Sequence, residues 1–214
     1  MSKDSLFSKK RLTLLKDPLN DDNPITIQAL GVCSALAITV QLKPAVVMAI
    51  SVMVVLSVAN VLISFMRKLV PSRIRIIVQL VVIATLVILV DEVLKAFAYD
   101  VSKELSVFVG LIITNCIIMG RLEAFGMANK PWESFLDGIG NSFGYAWILI
   151  VVAFFRELLG SGTLYGYPVL EKIGLYEIGY ENNGMMILPP MALITVGIII
   201  WIQRMKNEKL IESK

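Results

Sequence analysis

The sequence predicts an all-α integral membrane protein with six transmembrane helices arranged as two inverted three-helix repeats, the first helix of each repeat being short. Three observations carry that prediction. Hydrophobic residues make up 57% of the 214-residue chain, mean hydropathy is +0.76, and only 17% of residues are charged. Several apolar runs approach or exceed the roughly 20 residues needed to cross a bilayer. The only two cysteines, Cys33 and Cys116, lie 83 residues apart, each in an undersized apolar run followed by two fuller ones. An odd number of crossings per half gives the halves opposite orientations, and short or interrupted segments at corresponding positions mark where such proteins keep their site.

The predicted organisation is a cytoplasmic arm at 1–22, one membrane domain at 23–205 (repeat one 23–98, repeat two 103–205) and a cytoplasmic tail at 206–214. The basic, weakly apolar N-terminus lacks the apolar core and cleavage site of a signal peptide. Asn23-Pro24 reads as a helix start, where the missing proline N–H costs nothing. The first short run, ITIQALGVCSALAITV (25–40), follows. Pro44 opens a second segment at 45–66, whose Asn60 calls for a partner helix. A basic turn (Arg67, Lys68, Arg73, Arg75) leads to a third segment at 76–97, rich in Val, Ile and Leu. The second short run, LSVFVGLIITNCIIMGRLEAF (105–125), is the fourth. A fifth segment spans 139–159, a Gly- and Tyr-rich loop covers 161–184, and a sixth segment occupies 185–203.

The apolar part of each short run is about 16 residues, or ~24 Å at helical rise, against a ~30 Å hydrocarbon core. Six crossings put fifteen of the twenty Lys and Arg residues on the side of the two termini, leaving Lys43, Lys95, Lys103, Arg156 and Lys172 opposite. The positive-inside rule places both termini in the cytoplasm.

Composition also excludes chemistry. There is no histidine, which removes His-ligated haem, His-based zinc and an imidazole proton shuttle. No dinucleotide fingerprint, phosphate loop or nucleic-acid-binding pattern is present. The cysteines sit in apolar runs, so a secreted-type disulfide framework is not indicated. A membrane cysteine by itself is commonly a small packing residue, but here the whole supply of thiols falls in the two odd segments, which an inverted repeat brings together at the midplane. Thiolate softness would favour iron–sulfur, zinc or copper. An iron–sulfur cluster wants four thiolates, so two further ones would come from a second chain or a second copy.

Charges form a second constellation. Asp91, Glu92 and Lys95 close the third segment, and Arg156 and Glu157 close the fifth. By helical rise they sit ~12 to 14 Å from their segment centres, near the outer interface. They read either as an ion path or as anchors and interhelical ion pairs. Arg121 and Glu123 are read as holding the end of the second short run. Gly138, Gly140 and Gly144 permit close helix approach.

NPITIQALGVCSALAIT, RIIVQLVVIATLVILVDEVLKAFAYDVSKELSVFVGLIITNCIIMGRLEAF, FLDGIGNSFGYAW and FFRELLGSG resemble the D-type membrane subunits of sodium-translocating NADH:quinone reductases of bacterial respiratory membranes. The resemblance runs from about Asn23 to the last span. It implies a subunit of a six-subunit NADH:ubiquinone reductase in the bacterial inner membrane, a translocase that is not catalytic in isolation. It further implies that Cys33 and Cys116 are two ligands of a [2Fe-2S] centre shared with a homologous E-type subunit bearing two more cysteines, relaying electrons between flavins. NADH, FAD and FMN would be held by other subunits. Leu122 stands where the family pattern suggests a small alanine. The alternatives are a membrane subunit of the related Rnf complex, a small secondary transporter with inverted repeats, and a purely structural subunit.

Overall fold

Eight α-helices and one short hairpin account for the computed structural model, which describes residues 9–19, 22–71, 73–97, 109–168 and 182–206. The expectations resting on 1–8, 105–108, Lys103, Lys172 and the tail beyond 206 lie outside the described residues. In chain order the helices are α1 (Lys9–Lys16), α2 (Val32–Ile38), α3 (Leu42–Met66), α4 (Arg75–Phe97), α5 (Val109–Ile113), α6 (Cys116–Arg121), α7 (Pro131–Gly160) and α8 (Pro189–Lys206). A π-helical turn, Leu122–Gly126, continues α6, and the hairpin pairs β1 (Thr163–Leu164) with β2 (Tyr167–Pro168). Among the described residues, α3, most of α4 (Arg75–Ala96) and α7 are long and apolar enough to cross a membrane; α8 is apolar and shorter.

In chain order, the short α2 precedes the long α3 and α4, and the short α5 and α6 precede the long α7 and the shorter α8. Helices α3 and α7 share the most extensive contact in the protein, α4 packs on α5, and α8 packs on α2. Lipid is as apolar as leucine, so helices in a bilayer are held by close packing and hydrogen bonds rather than by hydrophobic transfer. The α3–α7 pair follows that rule, burying Ala45, Ala49, Ser57 and Ala59 on one helix and Gly138, Ser142, Ala146 and Ala153 on the other. Asn60, fully buried, donates its side-chain amide to the Ser134 carbonyl at 3.1 Å, so its partner helix is α7. The periphery is different: α4 turns Ile77, Val81, Leu89 and Val93 outward, an apolar face suited to acyl chains.

Three sequence boundaries shift, each for a local reason. Only a single turn forms at Pro24: Asn23 Oδ1 accepts from Ile25 N (3.0 Å) and Thr26 N (3.2 Å) as a cap, Ile27 N donates to Asn23 O (3.0 Å), and the chain does not continue as helix. Ala29 and Gly31 then take left-handed backbone (φ 55° and 79°), so α2 starts only at Val32. The fifth segment starts at Pro131 rather than 139, with proline in its first turn, where it is preorganised for a helix. Its polar opening is buried rather than in a loop: Ser134 and Asp137 face Asn60 and Arg121. The sixth segment divides into a 3₁₀ turn, Gly184–Ile187, and α8 from Pro189.

The glycines of α7 make the close approaches. A methyl built on Gly138 would stand 2.9 Å from Ser57 Cα of α3. On Gly140 and Gly144 it would collide with the Leu14 and Pro18 carbonyls, so these two admit the N-terminal arm, which lies along α7, rather than another spanning helix. Gly138→Ala is expected to destabilise the protein by about 1–3 kcal/mol through overpacking. Gly197→Ala on α8, with nothing within 4 Å, should stay within about 0.5 kcal/mol. Thermal unfolding of the purified variants checks both.

Candidate functional site

The two cysteine runs leave regular helix by different chemistry and arrive at similar places. In the first, Leu30 N donates to Pro24 O (2.7 Å), Gly31 reverses the chain, and Cys33 becomes the second residue of α2. In the second, Thr114 Oγ1 donates to Gly110 O (3.0 Å), a back-bond of the kind that bends helices. Asn115 is extended, and its Oδ1 accepts from Ile117 N (3.3 Å), so α6 restarts with Cys116 as its first residue. A run that read as one undersized helix is thus two pieces with the thiol at the break.

The residues beside the cysteines meet each other. Ser34 Oγ donates to Gly31 O (2.7 Å), lies 2.6 Å from the Tyr145 hydroxyl, and accepts from Asn115 Nδ2 (3.4 Å). Ser34 has one proton, already given to Gly31 O, so the tyrosine is the donor in the 2.6 Å contact. The Tyr145 ring packs under Gly31, where a Cβ would stand 3.0 Å from Cε2 and 3.5 Å from Asn115 Oδ1. Leu30 abuts Gly120 of α6. Ser34, Asn115 and Tyr145 are buried, whereas Cys33 and Cys116 are both exposed free thiols. Tyr145 is the fifteenth of the thirty residues of α7. The junction therefore sits level with the midpoint of the longest helix, and both thiols point away from the chain's own core.

The predicted charged residues separate into two groups. Asp91 and Glu92 both pair with Lys95 (2.7 and 2.9 Å) on the last turns of α4, a local cluster with Lys95 and Glu92 largely exposed. Arg156 and Glu157 are instead buried, at 1% and 3% exposure. Arg156 donates to Thr39 Oγ1 (2.5 Å) and Leu36 O (3.3 Å) at the end of α2, and to Met186 O (3.1 Å) and Ile187 O (2.7 Å) before α8. Glu157 Oε2 accepts from Leu42 N (2.6 Å), at the start of α3. The end of α3 does the corresponding thing in the other half: Arg67 donates to Ala128 O and Asn129 O (3.0 and 2.8 Å), and Ser64 to Asn129 O (2.6 Å). Arg121 pairs with buried Asp137, and Glu123 with Arg75 and Gln79, so both bind the end of the second short run to neighbouring helices. Leu122 is fully buried in the core, a packing position.

Comparison with known proteins places the arrangement. Residues 11–200 match the family model described as Rnf-Nqr subunit, membrane protein. The chain belongs to the Rnf-Nqr family. The match takes in both cysteine runs and every helix from α2 to α7. Among Rnf-Nqr relatives, the D subunit of the Na(+)-translocating NADH-quinone reductase of Photobacterium profundum is 52% identical over 208 residues, covering 97% of this chain and 98% of its own. A protein of the same name from Haemophilus ducreyi is 53% identical over 201 residues (94% and 96%). Another from Shewanella sp. W3-18-1 is 51% identical over 208 residues (97% and 98%).

Arg156→Met would remove the donor to buried Thr39 Oγ1 and to the part-buried Leu36, Met186 and Ile187 carbonyls, and a buried acceptor left without a donor costs about 1–3 kcal/mol. The expected outcome is a large drop in unfolding temperature with α2 and α8 loosened, seen as faster amide hydrogen exchange at 32–38 and 189–206. Arg67→Met, whose partners lie nearer the surface, should lose less.

Proposed function

We propose that this chain is the D-type membrane subunit of a sodium-translocating NADH-quinone reductase, and that Cys33 and Cys116 supply two of four thiolates to a [2Fe-2S] centre shared with a homologous E-type subunit. The observation that carries the reading is the pairing of two exposed thiols, anchored by mutually hydrogen-bonded neighbours level with the midpoint of α7. A cysteine kept only for packing would be buried in its own chain. These face outward, where a second chain would meet them.

The donor set suits the group as half of it. Thiolates are the ligands such clusters take, and among the described residues no set of three or more His, Cys, Asp or Glu gathers in one place. Completion from another chain follows from that arithmetic. When bound, the centre would supply a one-electron relay part-way across the membrane. This chain's residues tie the two cysteine turns together through the buried Ser34, Asn115 and Tyr145 and leave both thiols exposed. NADH, FAD and FMN belong, in this reading, to other subunits, as does quinone reduction.

The fold is read as six crossings in two inverted repeats with both termini in the cytoplasm of a bacterial inner membrane. Support comes from a short helical run preceding two further helices in each half, from the packing of α4 on α5 and of α8 on α2, and from the reciprocal hooks of Arg67 and Arg156. Arg156 and Glu157 are assigned to holding helix ends, and Asp91 and Glu92 to the local pairs with Lys95. The ion-path alternative for Glu157 retains one observation, a cavity of about 280 Å³ that this carboxylate lines with Gln41, Lys43, Ser161 and Tyr165.

The test uses the purified complex carrying Cys33→Ser or Cys116→Ser. Each should lose the iron of the shared centre and NADH-driven quinone reduction while keeping its subunit composition. Normal iron and normal turnover in both variants would overturn the reading.

A further inference from the structure

We propose that Tyr145 and Ser34 are positioning residues for the thiolate pair: the Tyr145 hydroxyl, through Ser34, fixes the Cys33 turn against the Cys116 turn and so sets how tightly the two thiols hold iron. The inference rests on the shared-centre reading above and goes beyond it, because neither residue is a ligand.

The network has a single consistent direction. Tyr145 and the Asn115 amide donate to Ser34 Oγ; Ser34 donates to Gly31 O; Asn115 Oδ1 accepts from Ile117 N. Each link touches a residue next to a thiol: Ser34 follows Cys33 and Asn115 precedes Cys116. Every member is buried, and Tyr145 is fully so, in surroundings where an unmade bond cannot be replaced by water. Tyr145 also stands on a different element from both thiols. It is part of α7, the helix with the most extensive packing on α3, so it refers the cysteine-bearing starts of two short helices to the centre of the fold. Groups one shell out from metal ligands orient them, and their removal typically lowers metal affinity about 10- to 100-fold. A seven-residue and a six-residue helix are too short to hold their placement by themselves; Arg156 and Arg121 tie down their far ends, and the Tyr145 network ties together the starts that carry the cysteines.

Tyr145→Phe removes one oxygen and leaves the ring under Gly31, so assembly should persist. In the purified complex it is expected to release iron to a chelator about tenfold or more faster than the parent, with a changed electron paramagnetic resonance spectrum of the reduced centre. Ser34→Ala should do the same. Because Tyr145 acts through the Ser34 hydroxyl, the double variant should be no worse than Ser34→Ala alone. Iron release and spectrum unchanged in Tyr145→Phe would overturn the inference, including where only the unfolding temperature falls. Cys33→Ser, run alongside, separates the two failures. If it keeps its iron, the shared-centre reading falls; if it loses iron while Tyr145→Phe behaves as the parent, only the positioning role falls.

Discussion

Backbone that leaves the helix inside a bilayer must find its hydrogen-bond partners within the protein, since the hydrocarbon offers none. Much of this fold answers that requirement at two places. At the first break, Asn23 caps the Ile25–Thr26 turn and donates to Gly144 O, while Ser34 takes the Gly31 carbonyl. At the second, Asn115 and Thr114 satisfy their own turn. The free ends created by the short helices are met in the same way. Arg156 gathers the Leu36 carbonyl in the last turn of α2 and the Ile187 carbonyl before α8, Glu157 caps the start of α3, and Arg67 closes the loop after α6. The central pair α3 and α7 provides the frame on which all of these side chains are mounted.

This explains why charged and polar side chains are so deeply placed in a strongly apolar chain. Arg156 costs free energy to bury, yet it replaces several unsatisfied carbonyls with one multidentate donor. Its planar fork suits that task better than a lysine would. The consequence for function is geometric. Two irregular turns, each leading into a cysteine, are joined through Ser34, Asn115 and Tyr145, and both thiols are left exposed.

The helical class and the membrane-length apolar segments were legible in the sequence because they depend on a local quantity, apolar length. So was the need of Asn60 for a partner helix. The tyrosine at the junction was not, since its contact with Ser34 bridges 111 positions and nothing near Tyr145 signals it. The true start of α7 was hidden for a related reason. Ser134 and Asp137 look like loop residues until Asn60 and Arg121 are seen to pair with them. Pro24 misled because the capped turn it opens is ended within a few residues by the left-handed backbone of Ala29 and Gly31, which a plain alanine does not announce. The second short run showed its polar residues, Thr114 and Asn115, but only their backbone geometry makes them a break.

The proposed half-site can be interrogated at the thiols themselves. The most direct measurement is maleimide labelling of Cys33 and Cys116 in the intact complex, read by peptide mass spectrometry before and after chelation of iron under reducing conditions. Both thiols should be protected in the iron-loaded complex and become reactive when iron is removed. Equal labelling of either cysteine with and without iron would contradict its place as a ligand.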